Sequence, residues 1–230
     1  MELLAPLSPA ECATLILSIK VGLLSCLGSL PFALVMGWFL ARHQFPGKAL
    51  LDGLVNLPLV MPPVTTGYLL LVVLGRRGLL GRPLDAWLGV TIPFSLAAPV
   101  IASAIVSFPL VVRAIRVAVE MVDPGLEQAA ETLGAGPIRR FLTITVPLAF
   151  PGILAGAILG FARSLGEFGA TITFAGNIEG VTRTLPLAVY TMMQIPGREA
   201  LAFRLVLISI GVSLLALLVG NLLARTPARR

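Results

Sequence analysis

The sequence predicts an all-α integral membrane protein with five transmembrane helices and one short helix that does not cross. Three observations predict it. Hydrophobic residues make up 57% of the 230-residue chain and charged residues only 12%, and the mean hydropathy of +0.97 lies far outside the range of soluble globular domains. The apolar residues fall into runs long enough for spanning helices, each of which needs about 20 residues. Between two of these runs, residues 123–147 carry the cap and stop signals of an ordered helix. The length suits one membrane domain covering 1–230, with a core of about 11–224.

Span one is expected over Ala13–Ala41, with Lys20 early enough to snorkel to the nearer interface and with Trp38 and Phe39 marking the far one. The N-terminal stretch lacks a positive segment before its apolar run, and that run is too long for a signal-peptide core, so it is expected to stay as a span. Span two, Gly53–Gly75, contains Pro58, Pro62 and Pro63. Proline removes backbone donors where no water can replace them, so this span must break or kink against protein or a hydrated cavity. The turn-rich stretch Arg76–Ile92 reads as a surface loop that touches the interface through Trp87 and Leu88. Span three, Pro93–Val119, is rich in small residues that allow close helix approach and ends with Arg113 and Arg116.

After span three, Asp123 is a good N-cap, Pro124 suits the first helical position, and Gly134 with Gly136–Pro137 supplies a stop and a new start. This predicts a helix over Pro124–Leu133, about 15 Å long and too short to cross. Leu126, Ala130 and Leu133 share one face, with Glu127 and Glu131 on an acidic ridge beside it. So small a stripe needs a partner surface. Span four opens at Pro147 and places Gly152, Gly156, Gly160 and Ser164 at four-residue intervals, a small-residue face that must pack backbone to backbone. It runs into Arg163-Ser-Leu-Gly-Glu167-Phe-Gly-Ala, where glycines disrupt the helix beside two opposite charges. The apolar segment Leu185–Met193 is too short to span and reads as an interfacial or re-entrant helix. Span five is expected over Ala200–Ala224. Five spans put the termini on opposite sides, and nine basic residues on the side of the short helix, Arg229 and Arg230 among them, against seven on the other give a mild orientation bias.

The isoelectric point near 10.3 does not point to nucleic acid, because Lys and Arg sit at the ends of apolar runs and form no patch with interleaved aromatics. Cys12 and Cys26 have no metal-ligand spacing to His43, the only histidine, so no metal or other cofactor is expected. No nucleotide-binding glycine loop, HExxH, CxxC or nucleophile elbow occurs, which leaves enzyme readings weak. Arg163 and Glu167, an i, i+4 pair in a span, read either as a salt bridge that neutralises both or as a gate or pathway position. Thr65 and Thr66 beside Pro62–Pro63, with Ser164, Phe168 and Gly169, complete the pathway or gate candidates.

Here the sequence resembles a family. Ala129–Ala130, then Gly134 after three residues and Ile144-x-Val146-Pro147 after nine more, is similar to the cytoplasmic EAA loop of binding-protein-dependent ABC importer permeases. Gln128 stands where that pattern has Glu, with Glu127 before it, and Val146 stands for Leu. The resemblance extends over nearly the whole chain. The runs Phe45–Val72, Gly75–Gly81, Ser107–Arg116 and Phe161–Ile178 look like molybdate ABC permeases, with sulfate, thiosulfate and tungstate permeases as the nearest alternatives. It implies a type I ABC importer permease fold in the bacterial cytoplasmic membrane, with Glu127, Gln128, Ala129, Ala130 and Gly134 on a coupling helix docked to the ATPase. Implied partners are a second copy of the chain, two ATP-binding cassette subunits and an extracytoplasmic oxyanion-binding protein. A transporter working without ATP is a less favoured reading, since it needs coupling-ion carboxylates in its spans, and Glu167 is the only clear one.

Overall fold

The computed structural model describes residues 7–225, which form eleven α-helices and one π-helical turn, with no strand among them. Met1–Pro6, Arg229 and Arg230 lie outside the described residues. Helix α1, Pro9–Arg42, starts where Ser8 and Glu11 form a reciprocal capping box, a feature that fixes its first turn two to four residues before the expected start of span one. Helices α2, Lys48–Val60, and α3, Pro63–Leu74, replace span two. They meet at 110° across Met61–Pro62, because Pro62 and Pro63 lack the N–H groups that would continue the ladder of α2.

The stretch expected to be a loop after α3 contains a helix of its own, α4, Gly81–Leu88, which ends at Gly89 in the left-handed conformation. Trp87 and Leu88 at its end are exposed. Helix α5 begins at Ala97, four residues later than expected, after a turn in which Phe94 has a positive φ. It continues to Glu120. Helix α6, Pro124–Thr132, is the short non-crossing helix. Beyond it α7, Pro137–Arg140, a π-helical turn at Phe141–Thr145 and α8, Val146–Leu165, stack into one helical rod, so the fourth span starts ten residues before Pro147. Helices α9, Gly169–Ala175, and α10, Leu185–Met193, are short, and α11, Glu199–Arg225, closes the bundle. Within the expected disruption after Glu167, α9 is a helix that sequence reasoning missed.

Four of these rods are long and apolar enough to cross a membrane on their own: α1, α5, the α7–α8 stack and α11. The bent α2–α3 pair supplies the fifth crossing, and helix direction shows why. Gly37 of α1 lies against Val112 and Ile115 of α5, and Arg42 reaches the carbonyl of Val122, so α1 and α5 run parallel. A chain that leaves one helix and enters a parallel neighbour must return across the bundle in between, and α2–α3 is the segment that does so.

α5 is the central rod, packed on α1, α2, α8 and α9, and it is the most buried of the long helices. Its small residues make this possible. Ala33, Leu40, Val55, Val111, Val112, Ile115, Val119, Ala149 and Ile153 form one core at the α6 end, and Ala98, Ala102, Val106, Ala170 and Phe174 form a second at the other end. The glycine face of α8 finds its partner here. A Cβ on Gly156 would sit 3.0 Å from Ala114 Cβ, and one on Gly160 2.6 Å from Val111 Cγ2, so α8 packs antiparallel on α5 at backbone contact. Ser164 ends that face by bonding to Ser25 at 3.0 Å and Ser107 at 3.4 Å, a buried chain of hydroxyls that ties α1, α5 and α8 together. Leu27, Phe32, Leu215 and Leu218 point outward, as expected of helices whose solvent is lipid.

Candidate functional site

Asp123 caps α6 by accepting the Gly125 N–H at 2.8 Å, and Leu133 closes the helix before Gly134, whose φ of +82° is open to glycine at little cost. No residue of α6 is buried. Leu126 is 47% exposed and Leu133 87% exposed, while Gln128, Ala129 and Gly134 are exposed and Ala130 half-buried. Met121 and Ile138 extend this apolar surface on either side. This stripe lies on a capped helix outside the bundle, at the end of three long rods, and is apolar surface that the described residues leave uncovered.

The two acids of α6 divide. Glu127 turns toward the bundle, where Arg42 donates to Oε1 at 3.0 Å and the Thr145 hydroxyl donates to the same oxygen at 2.7 Å. Arg42 also donates to the Val122 carbonyl at 2.9 Å, so the last residue of α1 clasps both ends of the α5–α6 connection. Glu131 instead pairs with Arg140 of α7. Both contacts join α6 to the rods that carry it. Arg42 and Thr145 are the residues that sequence reasoning missed. No spacing signal marks them, because they meet Glu127 only through the tertiary fold.

The second group of expected residues gathers at the opposite end, where α3 crosses α9. Gly67 and Gly169 make the crossing possible. A Cβ on Gly67 would lie 2.5 Å from the Ala170 carbonyl oxygen, and one on Gly169 would lie 2.8 Å from Pro63 Cβ. Thus Pro63 and Gly169 touch, whereas Pro62 and Thr65 face outward at the elbow and Thr66 is buried. Glu167 is 2% exposed: its Oε1 accepts the Ala170 N–H at 2.9 Å, which caps α9, and its Oε2 lies 2.9 Å from Arg163 Nη1 as a charge contact. Arg163 keeps about a third of its side chain exposed. Phe168 stacks at a tilt on Tyr190 of α10 with centroids 5.2 Å apart. In this conformation Glu167 therefore holds the α8–α9 corner, and the exposed members of the set are Pro62, Pro63 and Thr65, with Arg163 half-buried. Among the described residues no group of three or more His, Cys, Asp or Glu side chains is placed to hold a metal ion.

A bundle of four long rods and one broken crossing, with a capped helix projecting from one end, defines a polytopic membrane protein. Residues 30–228 match the family model for the binding-protein-dependent transport system inner membrane component, and the chain belongs to that family. It is 56% identical over 224 residues to the molybdenum transport system permease protein ModB of Escherichia coli K12, covering 97% of this chain and 98% of that one. It is 54% identical over 220 residues to ModB of Haemophilus influenzae, covering 96% of each. Among solved structures, a bacterial ABC transporter involved in the import of alginate superposes with a TM-score of 0.75 at 17% identity, over 97% of this chain and 82% of that one, and shares the fold.

Proposed function

We propose that this chain is the membrane-spanning permease subunit of an ATP-driven importer that carries molybdate inward across the bacterial cytoplasmic membrane. The observation that carries the reading is identity above half to molybdenum permeases over 96–97% of this chain and 96–98% of theirs. The chain has no nucleotide-binding loop of its own, so ATP hydrolysis falls to separate subunits. Two copies of the chain pair, each offers α6 to one ATP-binding cassette subunit on the cytoplasmic side, and an extracytoplasmic binding protein delivers the oxyanion at the other face.

Gln128, Ala129, Ala130 and Gly134 form the face that enters the ATPase cleft, and Glu127 couples that face to α1 and α8. Closure of the ATPase dimer displaces the two α6 helices and rocks the permease halves between inward-open and outward-open states. Pro62, Pro63, Thr65 and Thr66 on the elbow, with Arg163, Ser164, Glu167, Phe168 and Gly169 at the α8–α9 corner, are the gate region, since the α3–α9 crossing is where a broken helix meets another helix end.

The test is uptake of radiolabelled molybdate in bacterial cells whose own molybdate permease has been deleted, supplied with this chain and its ATPase and binding-protein partners. Uptake that is restored and resists a large excess of sulfate supports the reading. Uptake of sulfate with no uptake of molybdate moves the chain to the sulfate class and overturns it.

A further inference from the structure

Arginines in the spanning rods are costly unless paired, and most of those described here are paired. Arg42 holds Glu127, Arg163 meets Glu167, Arg204 lies 3.4 Å from Glu11, and Arg116 bridges Asp52 at 3.2 Å and Glu120 at 2.9 Å. Three cations in the long rods have no ion pair or side-chain hydrogen bond among the described residues: Lys20, Arg113 and Arg139, the last at the exposed α6 end of the α7–α8 rod. Lys20 lies toward the outer end of α1, where a flexible ammonium snorkels. Arg113 lies two turns inside the α6 end of α5 and faces a polar cavity of about 370 Å³ between α2 and α5, lined by Asp52, Asn56, Arg113, Arg116, Val117 and Glu120.

The occupancy of the donors and acceptors in this cavity is uneven. Asp52 accepts from Arg116 on one oxygen and from Asn56 on the other, and Glu120 accepts from the Nε of Arg116. Both acids are engaged, Glu120 through Oε1 alone. The cations are not: Arg116 spends only Nε and Nη1, and the whole guanidinium fork of Arg113 is free. Arg113 and Arg116 are three residues apart, on one face of α5, and both line the cavity. Two forks with open N–H groups match a tetrahedral oxyanion, which guanidinium recognises in a bidentate way. The cavity volume equals roughly ten waters at about 30 Å³ each, so an incoming anion can keep part of its hydration and need not bind tightly.

We infer that the α2–α5 cavity is a weak site for a tetrahedral oxyanion, held by Arg113 and Arg116 Nη2 at the cytoplasmic third of the pathway. The site rests on the permease reading proposed above and adds to it a last station before release. Asp52 and Glu120 hold Arg116 in place and keep the local charge near balance, which favours departure over retention.

Two sources supply this chemistry, the transported anion and the phosphate of an anionic lipid, and cysteine labelling separates them. Val117→Cys, one turn from Arg113 on the cavity wall, is placed in a chain with Cys12→Ala and Cys26→Ala, assembled with its ATPase partner in vesicles. Its reaction rates with anionic and cationic methanethiosulfonates are compared. One unit charge a helical turn away acts in opposite senses on the two reagents, so the anionic-to-cationic rate ratio is expected to fall about fivefold or more on Arg113→Gln. Arg113→Lys keeps the charge, and it should retain most of the ratio while losing protection by millimolar molybdate or sulfate. That pair of results keeps the test informative if Arg113→Gln fails to assemble. Protection by added molybdate or sulfate in phosphatidylcholine vesicles supports the inference. Slow labelling that requires phosphatidylglycerol and ignores added oxyanion assigns the site to lipid and overturns it, as does a ratio indifferent to Arg113. Molybdate uptake by the parental complex is measured in the same vesicles. Its absence would refute the permease reading, whereas uptake with an indifferent ratio refutes this inference alone.

Discussion

Replacing Glu127 by Gln removes the charge that ties the protruding helix to the bundle, and the structure sets the size of the effect. Glu127 Oε1 accepts from both Arg42 and Thr145, and the side chains of Arg42 and Glu127 are only 14% and 19% exposed. A hydrogen bond to a charged partner contributes about 1.5–3 kcal/mol, and the residual exposure argues for the lower half of that range. Gln keeps the shape and one acceptor, so the loss is expected at about 1–2 kcal/mol, which raises the population of a loosened α6 by about five- to thirtyfold. Arg42 would lose its one acidic partner among the described residues while still reaching the Val122 carbonyl. The assay is molybdate transported per ATP hydrolysed in proteoliposomes. The ratio should fall severalfold in Glu127→Gln while ATP hydrolysis continues, and Arg42→Gln in the same chain should add little, because both changes break one contact. An unchanged ratio in Glu127→Gln, or fully additive losses in the double variant, would refute the idea that this clasp transmits the motion of α6.

Other substitutions probe the packing and the gate region. Gly156→Leu drives α8 off Ala114 and the Val111 carbonyl of α5, and it should lower the midpoint of detergent thermal unfolding by several degrees; a parental midpoint would mean the glycine face is not a contact. Gly67→Ala meets the Ala170 backbone and should reduce folded protein recovered from membranes, whereas Gly28→Ala, with no atom within 4 Å of the added methyl, should not. The charge swap Arg163→Glu with Glu167→Arg preserves the pair but puts Arg at a position 2% exposed and removes the acceptor for Ala170 N–H, so neither abundance nor uptake should recover; recovered abundance would show that neutrality alone matters there.

Local rules carried some of these features into the sequence and not others. The bounds of α6 follow from Asp123, Pro124 and Gly134 because caps act over three or four residues, and the structure ends the helix one residue before the expected Leu133. The α2–α3 break follows from Pro62–Pro63, but its 110° bend does not, since the angle depends on Gly67 and Gly169 letting α3 lie on α9. The small-residue face of α8 is plain in the spacing of Gly152, Gly156 and Gly160, yet nothing in that spacing names α5 as its partner. Glu127 and Glu131 look alike in sequence, one turn apart on a ridge. Only the position of Arg42, 85 residues earlier, turns the first inward. For the same reason Glu167 reads from sequence as one half of an i, i+4 pair, while its capping of α9 depends on a helix whose start was not expected.

ATP-driven uptake of molybdate by the purified assembly tests the account most directly. The chain is reconstituted with its ATP-binding subunits and the oxyanion-binding protein, and radiolabelled molybdate entering the vesicles is counted with ATP and without it, for the parental chain and for Gly134→Glu. The account predicts uptake that requires ATP and the binding protein, and its loss in Gly134→Glu although that variant inserts normally, because bulk and charge at an exposed φ-positive glycine block entry of α6 into the ATPase cleft. Molybdate uptake that proceeds without ATP, or that survives Gly134→Glu at the parental rate, would contradict it.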